Sequence, residues 1–120
     1  MPPAEYPDGR IVSWGETIRD DGQILVKNRK GQQDRWDQGE RLLLTQLTEF
    51  NMYDVYRKLN GFDKQEFSWF PPGSGGKKSG RRFDHIYANE SLCPTQCFYD
   101  HSVRETKLSD HSALVAEFFG

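Results

Sequence analysis

The sequence predicts an α+β fold in which one or two helices pack on a mainly antiparallel sheet. A helical spacing of large apolar residues occupies the middle of the chain, and three runs rich in aromatic and β-branched residues follow it. The length of 120 residues gives room for one domain with a modest core. Only 35% of the residues are hydrophobic, but the net charge of −2 and an aromatic content of 13% favour a folded chain.

Residues 1–35 are predicted to form a variable arm and a hairpin. The opening "MPPAEYPDGR" contains three prolines without periodicity, which indicates an extended or frayed arm. "RIVSW" and "QILVKN" are short β-type runs, and the turn signal "RDDG" between them predicts a hairpin.

Residues 36–120 of the single domain are predicted to contain the helices and the remaining strands. A helix is expected from Trp36 to Phe50, with Asn51 as its stop. "MYDVYRKLNG" predicts a second short helical piece closed by Gly61.

The last third of the chain reads as strands separated by polar loops. "FSWF" is a short aromatic strand, and the loop "GSGGKKSG" leads to the strand "RRFDHIYA". The runs "CPTQCFY" and "SALVAEFF" predict the last two strands, joined by the polar loop "DHSVRETKLSDH".

Several classes of protein are disfavoured by the composition. No apolar run approaches the 18 or so residues that span a bilayer, so no membrane partner is expected. The two cysteines, Cys93 and Cys97, lack partner ligands for a metal and are interpreted as ordinary buried thiols in a reducing, cytoplasmic setting.

Two acid–imidazole pairs are the strongest chemical signal in the sequence. The first pair, Asp84–His85, lies inside a predicted strand. The second pair, Asp110–His111, lies where a loop meets the last strand. A functional histidine needs a partner that fixes its tautomer, so Asp84 and His111 form a candidate pair. Asp110 is then left to bind a hard cation through oxygen. The alternative is that these aspartates cap turns, with His85 a half-buried strand residue and His101 a loop residue.

These motifs resemble the carboxy-terminal half of an endonuclease/exonuclease/phosphatase superfamily domain, nearest the exonuclease III and abasic-site endonuclease branch. The resemblance makes residues 36–120 the family-like region of a single, partial domain. It rests on "FSWF", the basic loop, "RRFDHIYAN" and the ending "KLSDHSALVAEF". It implies half of a four-layer α/β sandwich and Mg²⁺- or Mn²⁺-dependent hydrolysis of phosphodiester or phosphomonoester bonds, with DNA as a candidate substrate.

The resemblance also assigns roles to individual residues. His111 is similar to the histidine beside the scissile phosphate, Asp84 to the acid that orients it, and Asp110 to a neighbouring acid that helps to hold metal. Aromatic residues of the substrate cleft and cations facing phosphate are expected at Trp69, Phe70, Lys77, Lys78, Arg81 and Arg82.

The sequence also departs from the family pattern. The Asp-x-Asn triplet of these enzymes does not occur, and nothing around Glu16 resembles their metal motif. The chain is therefore predicted to supply the Asp/His half of a phosphoesterase site and to be inactive or weakly active alone. A homodimer packed sheet to sheet, or a missing amino-terminal half, would complete it. The alternatives are a non-catalytic remnant that binds nucleic acid or phosphate, and a purely structural domain.

Overall fold

The fold is α+β, with antiparallel ladders and short helices. The computed structural model describes residues 4–12, 16–26, 43, 46–73 and 80–120. Within these ranges the strands pair as four two-stranded ladders. No helix in the same ranges is both long and apolar enough to cross a membrane.

The amino-terminal region forms two small ladders. Strand β1 (Ala4–Glu5) pairs with β2 (Ile11–Val12), and β3 (Glu16–Ile18) pairs with β4 (Ile24–Val26). The predicted turn between β3 and β4 is confirmed, and Gly22 takes the positive φ of 85° that this turn needs.

Two details of the predicted hairpin are wrong. Residues of "RIVSW" pair with the proline-rich arm instead of with "QILVKN", and the arm itself is a paired strand at Ala4–Glu5. The arm is held in place because the Glu5 side chain reaches buried arginines, a partnership that local sequence does not show.

Most of the helix predicted from Trp36 lies outside the described residues. Its described end is a 3-10 turn at Leu47–Phe50, and Asn51 stops it in the left-handed conformation with φ 56°. The predicted stop is therefore confirmed.

The next segment is part strand and part helix. Strand β5 (Met52–Asp54) pairs with β6 (Tyr87–Asn89), so the predicted helical piece begins only afterwards, as α1 (Val55–Asn60). The Asp54 side chain caps α1 by accepting from the Arg57 amide at 3.3 Å. Gly61, with φ 69°, ends the helix as predicted.

The longest ladder joins β7 (Cys93–Asp100) to β8 (Ala113–Phe119) and confirms two predicted strands. The predicted loop between them contains one helical turn, α2 (Ser102–Glu105). A bulge between Pro94 and Gln96 shifts the register of β7. Cys97 is consequently buried as expected, whereas Cys93 is exposed.

"RRFDHIYA" is not the regular strand that its composition predicts. Only Tyr87–Asn89 joins a ladder, while "FSWF" contributes a single bridge between Trp69 and Arg81. The extended segment between Arg81 and Ile86 is instead held by bonds to side chains and loop backbone, described below.

The core lies where α1 packs on the β7–β8 ladder and on β6. Its buried members are Val55, Tyr56, Ala88, Cys97 and Tyr99. The rings of Tyr56 and Tyr99 meet at 5.1 Å, so two tyrosines rather than aliphatic residues fill the centre. Their hydroxyl groups point towards the residues discussed next.

Candidate functional site

Asp84 and His111 form a hydrogen-bonded pair at one edge of the β7–β8 ladder. The Nδ1 atom of His111 lies 2.7 Å from Oδ2 of Asp84, across a sequence separation of 27 residues. Because a carboxylate accepts hydrogen bonds, this contact places the proton on Nδ1 and leaves Nε2 as the basic atom. The side chains are 34% and 38% exposed, so the pair is accessible to solvent.

Side-chain hydroxyl groups hold the backbone of Asp84. The Ser68 Oγ accepts from the amide of Phe83 at 3.0 Å and from that of Asp84 at 3.4 Å. The Tyr99 hydroxyl donates to the Asp84 carbonyl oxygen at 2.6 Å. These bonds replace the ladder that a neighbouring strand would have provided, which explains why the predicted strand is irregular here.

The backbone around His111 is fixed from two directions. Its amide donates to Ser109 Oγ at 3.0 Å. The next amide, that of Ser112, donates to the Ser68 carbonyl oxygen at 2.8 Å. Ser68 is therefore bonded to both sides of the acid–histidine pair, and it is fully buried.

An aromatic surface leads away from His111. The centroid of the Phe83 ring lies 6.2 Å from that of the His111 ring, and the centroid of the Trp69 ring lies 5.3 Å from that of Phe83. Phe70, expected in the same cleft, packs instead edge-on against Phe67 and under the guanidinium group of Arg104. Phe83 is the aromatic neighbour of His111 that the sequence analysis missed. Its position in the sequence, directly before Asp84, was the signal that could have identified it.

The predicted phosphate-binding cations divide into three cases. Lys77 and Lys78 lie outside the described residues. Arg81 is half-buried and donates to the Gly80 carbonyl oxygen at 2.8 Å, and burial lowers the pKa of its guanidinium. Arg82 does not face solvent, because its side chain is 3% exposed and lies between two carboxylates.

These carboxylates belong to a buried ionic cluster that the sequence analysis did not anticipate. Glu5 accepts from Arg57 and from Arg82, and Arg82 also pairs with Asp54. Burial opposes the charge of Arg82, but Asp54 and Glu5 outweigh it and raise its pKa. His85 joins the cluster, with Nδ1 at 3.1 Å from Asp54 Oδ2.

The pKa of Asp54 shows how strongly this cluster is paired. Burial alone would raise it, but hydrogen bonds from His85 and Arg82 prevail and bring it to about 2. Arg82 and His85 therefore stabilise the junction of β1, β5 and α1, because both side chains bond to Asp54 and Arg82 also bonds to Glu5.

A third histidine is also paired with an acid. His101, expected to be a loop residue, does lie in the turn after β7, but its Nε2 atom is 3.0 Å from Glu66 Oε2. Its Nδ1 atom lies 2.7 Å from the hydroxyl oxygen of Ser112. Nothing in the spacing of Glu66 and His101 along the chain signals this contact.

Asp110 is exposed and adjacent to His111. Across the described ranges no group of three or more His, Cys, Asp or Glu side chains is arranged to hold a metal ion. Asp110 carries a carboxylate that can contribute an oxygen ligand to a hard cation.

Comparison with known proteins finds similarity to a nuclease. The chain is 35% identical to exodeoxyribonuclease III of Haemophilus influenzae over an alignment of 86 residues, covering 66% of this chain and 32% of that protein. The chain thus spans about a third of the relative's length. No protein-family model matches it, and no solved structure matches it. The identity supports a relationship to the superfamily that the motifs resemble.

Proposed function

We propose that this chain carries the Asp/His half of a nuclease-like phosphodiesterase site that acts on DNA. The observation that carries the proposal is the 2.7 Å bond between Asp84 and His111, beside the aromatic surface of Phe83 and Trp69. The similarity to an exodeoxyribonuclease supports the substrate class.

The arrangement suits general-base chemistry at a phosphate. The free Nε2 atom of His111 takes a proton from water as the water oxygen bonds to phosphorus and the bond to the leaving oxygen breaks. Asp84 holds the ring in the tautomer that exposes Nε2 and stabilises the imidazolium that results. The leaving alkoxide takes a proton from solvent and departs as the alcohol. Asp110 would supply one oxygen ligand to a Mg²⁺ or Mn²⁺ ion, which would stabilise the negative charge on the phosphate.

The neighbouring surface would bind the nucleic acid. We assign base or sugar stacking to Trp69 and Phe83, because their rings form a continuous path towards His111. Phosphate contacts are assigned to Lys77, Lys78 and Arg81. Arg82 is left out of this set because it is committed to Glu5 and Asp54.

The test is hydrolysis of a labelled duplex oligodeoxynucleotide containing a nick or an abasic site, with Mg²⁺ or Mn²⁺ present. His111→Ala should lower the rate by roughly 10²- to 10⁴-fold, as expected for loss of a general base. Asp84→Asn keeps the shape but removes the carboxylate acceptor, so it should lower kcat with little change in KM. Arg19→Ala, on the exposed turn before β4, is the matched control and should leave the rate unchanged. Equal rates for wild type and His111→Ala would rule out the enzyme proposal.

The second candidate is a non-catalytic DNA-binding remnant. The observation that favours it is the aromatic surface of Trp69 and Phe83, which suits stacking of bases without hydrolysis. In that case the chain binds DNA without cleaving it, and log Kd changes with log salt. Removing Lys77 and Lys78 together should reduce the salt slope by about 2, since each phosphate contact contributes about 0.9. Unchanged slope would exclude this basic loop from the interface.

We also propose that a second copy of the chain packs on the β7–β8 ladder. Its free end carries exposed aromatic residues, with Phe118 38% and Phe119 81% exposed. Large apolar groups at the end of a ladder favour an interface between copies.

A further inference from the structure

A continuous path of hydrogen bonds runs from the core to the residue after His111. The buried Tyr56 hydroxyl donates to Glu66 Oε1 at 2.9 Å, and Glu66 Oε2 lies 3.0 Å from His101 Nε2. His101 Nδ1 then lies 2.7 Å from the hydroxyl oxygen of Ser112. The His101 ring is also stacked on the Tyr99 ring, with centroids 6.3 Å apart.

The direction of these bonds follows from their chemistry. Burial would raise the pKa of Glu66, but the hydrogen bonds from His101 and Tyr56 prevail and lower it, so Glu66 is an ionised acceptor. The proton of neutral His101 is therefore on Nε2. Nδ1 is then an acceptor, and the Ser112 hydroxyl group donates to it.

The rotamer of Ser112 is consequently set by His101. Ser112 is 2% exposed, so its hydroxyl group has no access to bulk water as an alternative partner. Its backbone amide is bonded to Ser68, whose hydroxyl oxygen in turn accepts from the amide of Asp84. Ser112 thus lies between His101 and the backbone that carries both members of the acid–histidine pair.

We propose that His101 is a positioning residue for this pair, acting through Ser112 to keep His111 within hydrogen-bond reach of Asp84. Its effect on turnover rests on the proposed function, whereas its effect on the His111 ring does not. His101 contacts no reacting group. It fixes the side chain of the residue that follows His111, at the start of β8.

Two other interpretations of the same contacts can be separated from this one. Glu66, His101 and Ser112 have the composition of a nucleophilic triad, but the burial of Ser112 keeps a substrate away from its oxygen. A purely structural role would act through Glu66 and Tyr56, by joining the turn after β7 to α1. Only the positioning role requires the hydrogen bond on the Nδ1 side of the His101 ring.

A matched pair of substitutions distinguishes the two sides of the His101 ring. In His101→Asn the side-chain amide takes the place of Nδ1 and can keep the bond to Ser112, while contact with Glu66 is lost. In His101→Gln the amide takes the place of Nε2 and can keep Glu66, while Ser112 is left without its acceptor. Ser112→Ala removes the donor itself.

The first readout does not depend on activity. Long-range ¹H–¹⁵N spectra of the full chain, at a pH where the imidazoles are neutral, report the tautomer of His111. Wild type and His101→Asn should hold His111 in the Nδ1–H form bonded to Asp84. His101→Gln and Ser112→Ala should shift it towards the Nε2–H form. The same tautomer in all four proteins would overturn the proposal, as would an Nε2–H form in wild type.

The second readout is hydrolysis of the DNA substrate by the same proteins. His101→Gln and Ser112→Ala should each lower kcat roughly 10- to 100-fold with KM within about twofold, and His101→Asn should retain most of the rate. The His101→Gln/Ser112→Ala double variant should have a kcat no lower than that of either single variant, because both substitutions remove the same bond. If His101→Gln does not fold, Ser112→Ala carries the test. An inactive wild type whose tautomers follow the expected order would reject the proposed hydrolysis and keep the positioning role.

Discussion

Neutralising Glu5 should destabilise the protein far more than its place in a proline-rich arm suggests. The carboxylate accepts from both Arg57 and Arg82, and the three side chains are 9%, 7% and 3% exposed. In Glu5→Gln the charge is lost and one acceptor oxygen becomes an NH₂ group that faces a guanidinium donor. Both arginines remain buried, so the change leaves uncompensated charge in the interior.

The expected magnitude follows from this burial. Removing one partner of a buried ion pair costs about 3–5 kcal/mol, because the remaining charge stays desolvated. With a urea m-value of about 1.5 kcal/mol per molar, the unfolding midpoint should fall by roughly 2–3 M. Asp54 still neutralises part of the charge of Arg82, which favours the lower end of the range.

The assay is urea unfolding followed by tryptophan fluorescence and circular dichroism. Asp8→Asn is the matched control, because Asp8 pairs with Arg10 on the same arm but both side chains are about half exposed, at 51% and 47%. That control should leave the midpoint unchanged. If both variants unfold at the wild-type midpoint, Glu5 does not supply the buried counter-charge described here.

Three further predictions concern other parts of the fold. Gly80→Ala would place a Cβ atom 2.6 Å from the Phe67 ring and 2.7 Å from Phe70, so the melting temperature should fall; an unchanged value would mean that these rings yield freely. The folded-state pKa of Asp54 is about 2, below its ordinary 3.8, so the folded chain binds fewer protons there. The resulting contribution to the free energy of unfolding, about 2 kcal/mol, is present above pH 4 and lost as the pH falls towards 2. Denaturant titrations between pH 4 and 2 should show this loss of stability, and Asp54→Asn should remove the pH dependence. Sedimentation velocity at micromolar concentration should show a dimer that Phe119→Ser weakens, and a wild-type monomer would refute the proposed packing.

The acid–histidine pair could be predicted because the sequence marks both members. Asp84 and Asp110–His111 are polar groups set beside strand-type residues, and a functional histidine needs an orienting acid. The structure brings Asp84 and His111 to 2.7 Å. The strands β7 and β8 were predictable from composition, since β8 is an apolar run and β7 contains strand-type Thr, Phe and Tyr residues.

The rest of the site depends on contacts that no local pattern records. Glu5 meets Arg82 across 77 positions, and Glu66 meets His101 across 35. Arg82 follows Arg81 directly in a basic stretch, so the sequence suggests one role for both, although the structure buries only the second deeply. The segment before Tyr87 has strand-type composition, but the hydroxyl group of Ser68 satisfies its amides instead of a neighbouring strand.

The strand β7, with its bulge, carries one exposed thiol and one buried thiol. Cys97 faces the core, where burial raises its pKa and suppresses the thiolate. Cys93, beyond the bulge, is exposed and lies at the free end of the ladder opposite Phe119. At about 3.3 Å per residue, the seven steps of β7 place Cys93 roughly 23 Å from Asp100, where the strand reaches the acid–histidine edge. A maleimide dye would therefore label this protein at one position without further mutagenesis, far enough from His111 to test the proposed DNA binding without touching the site.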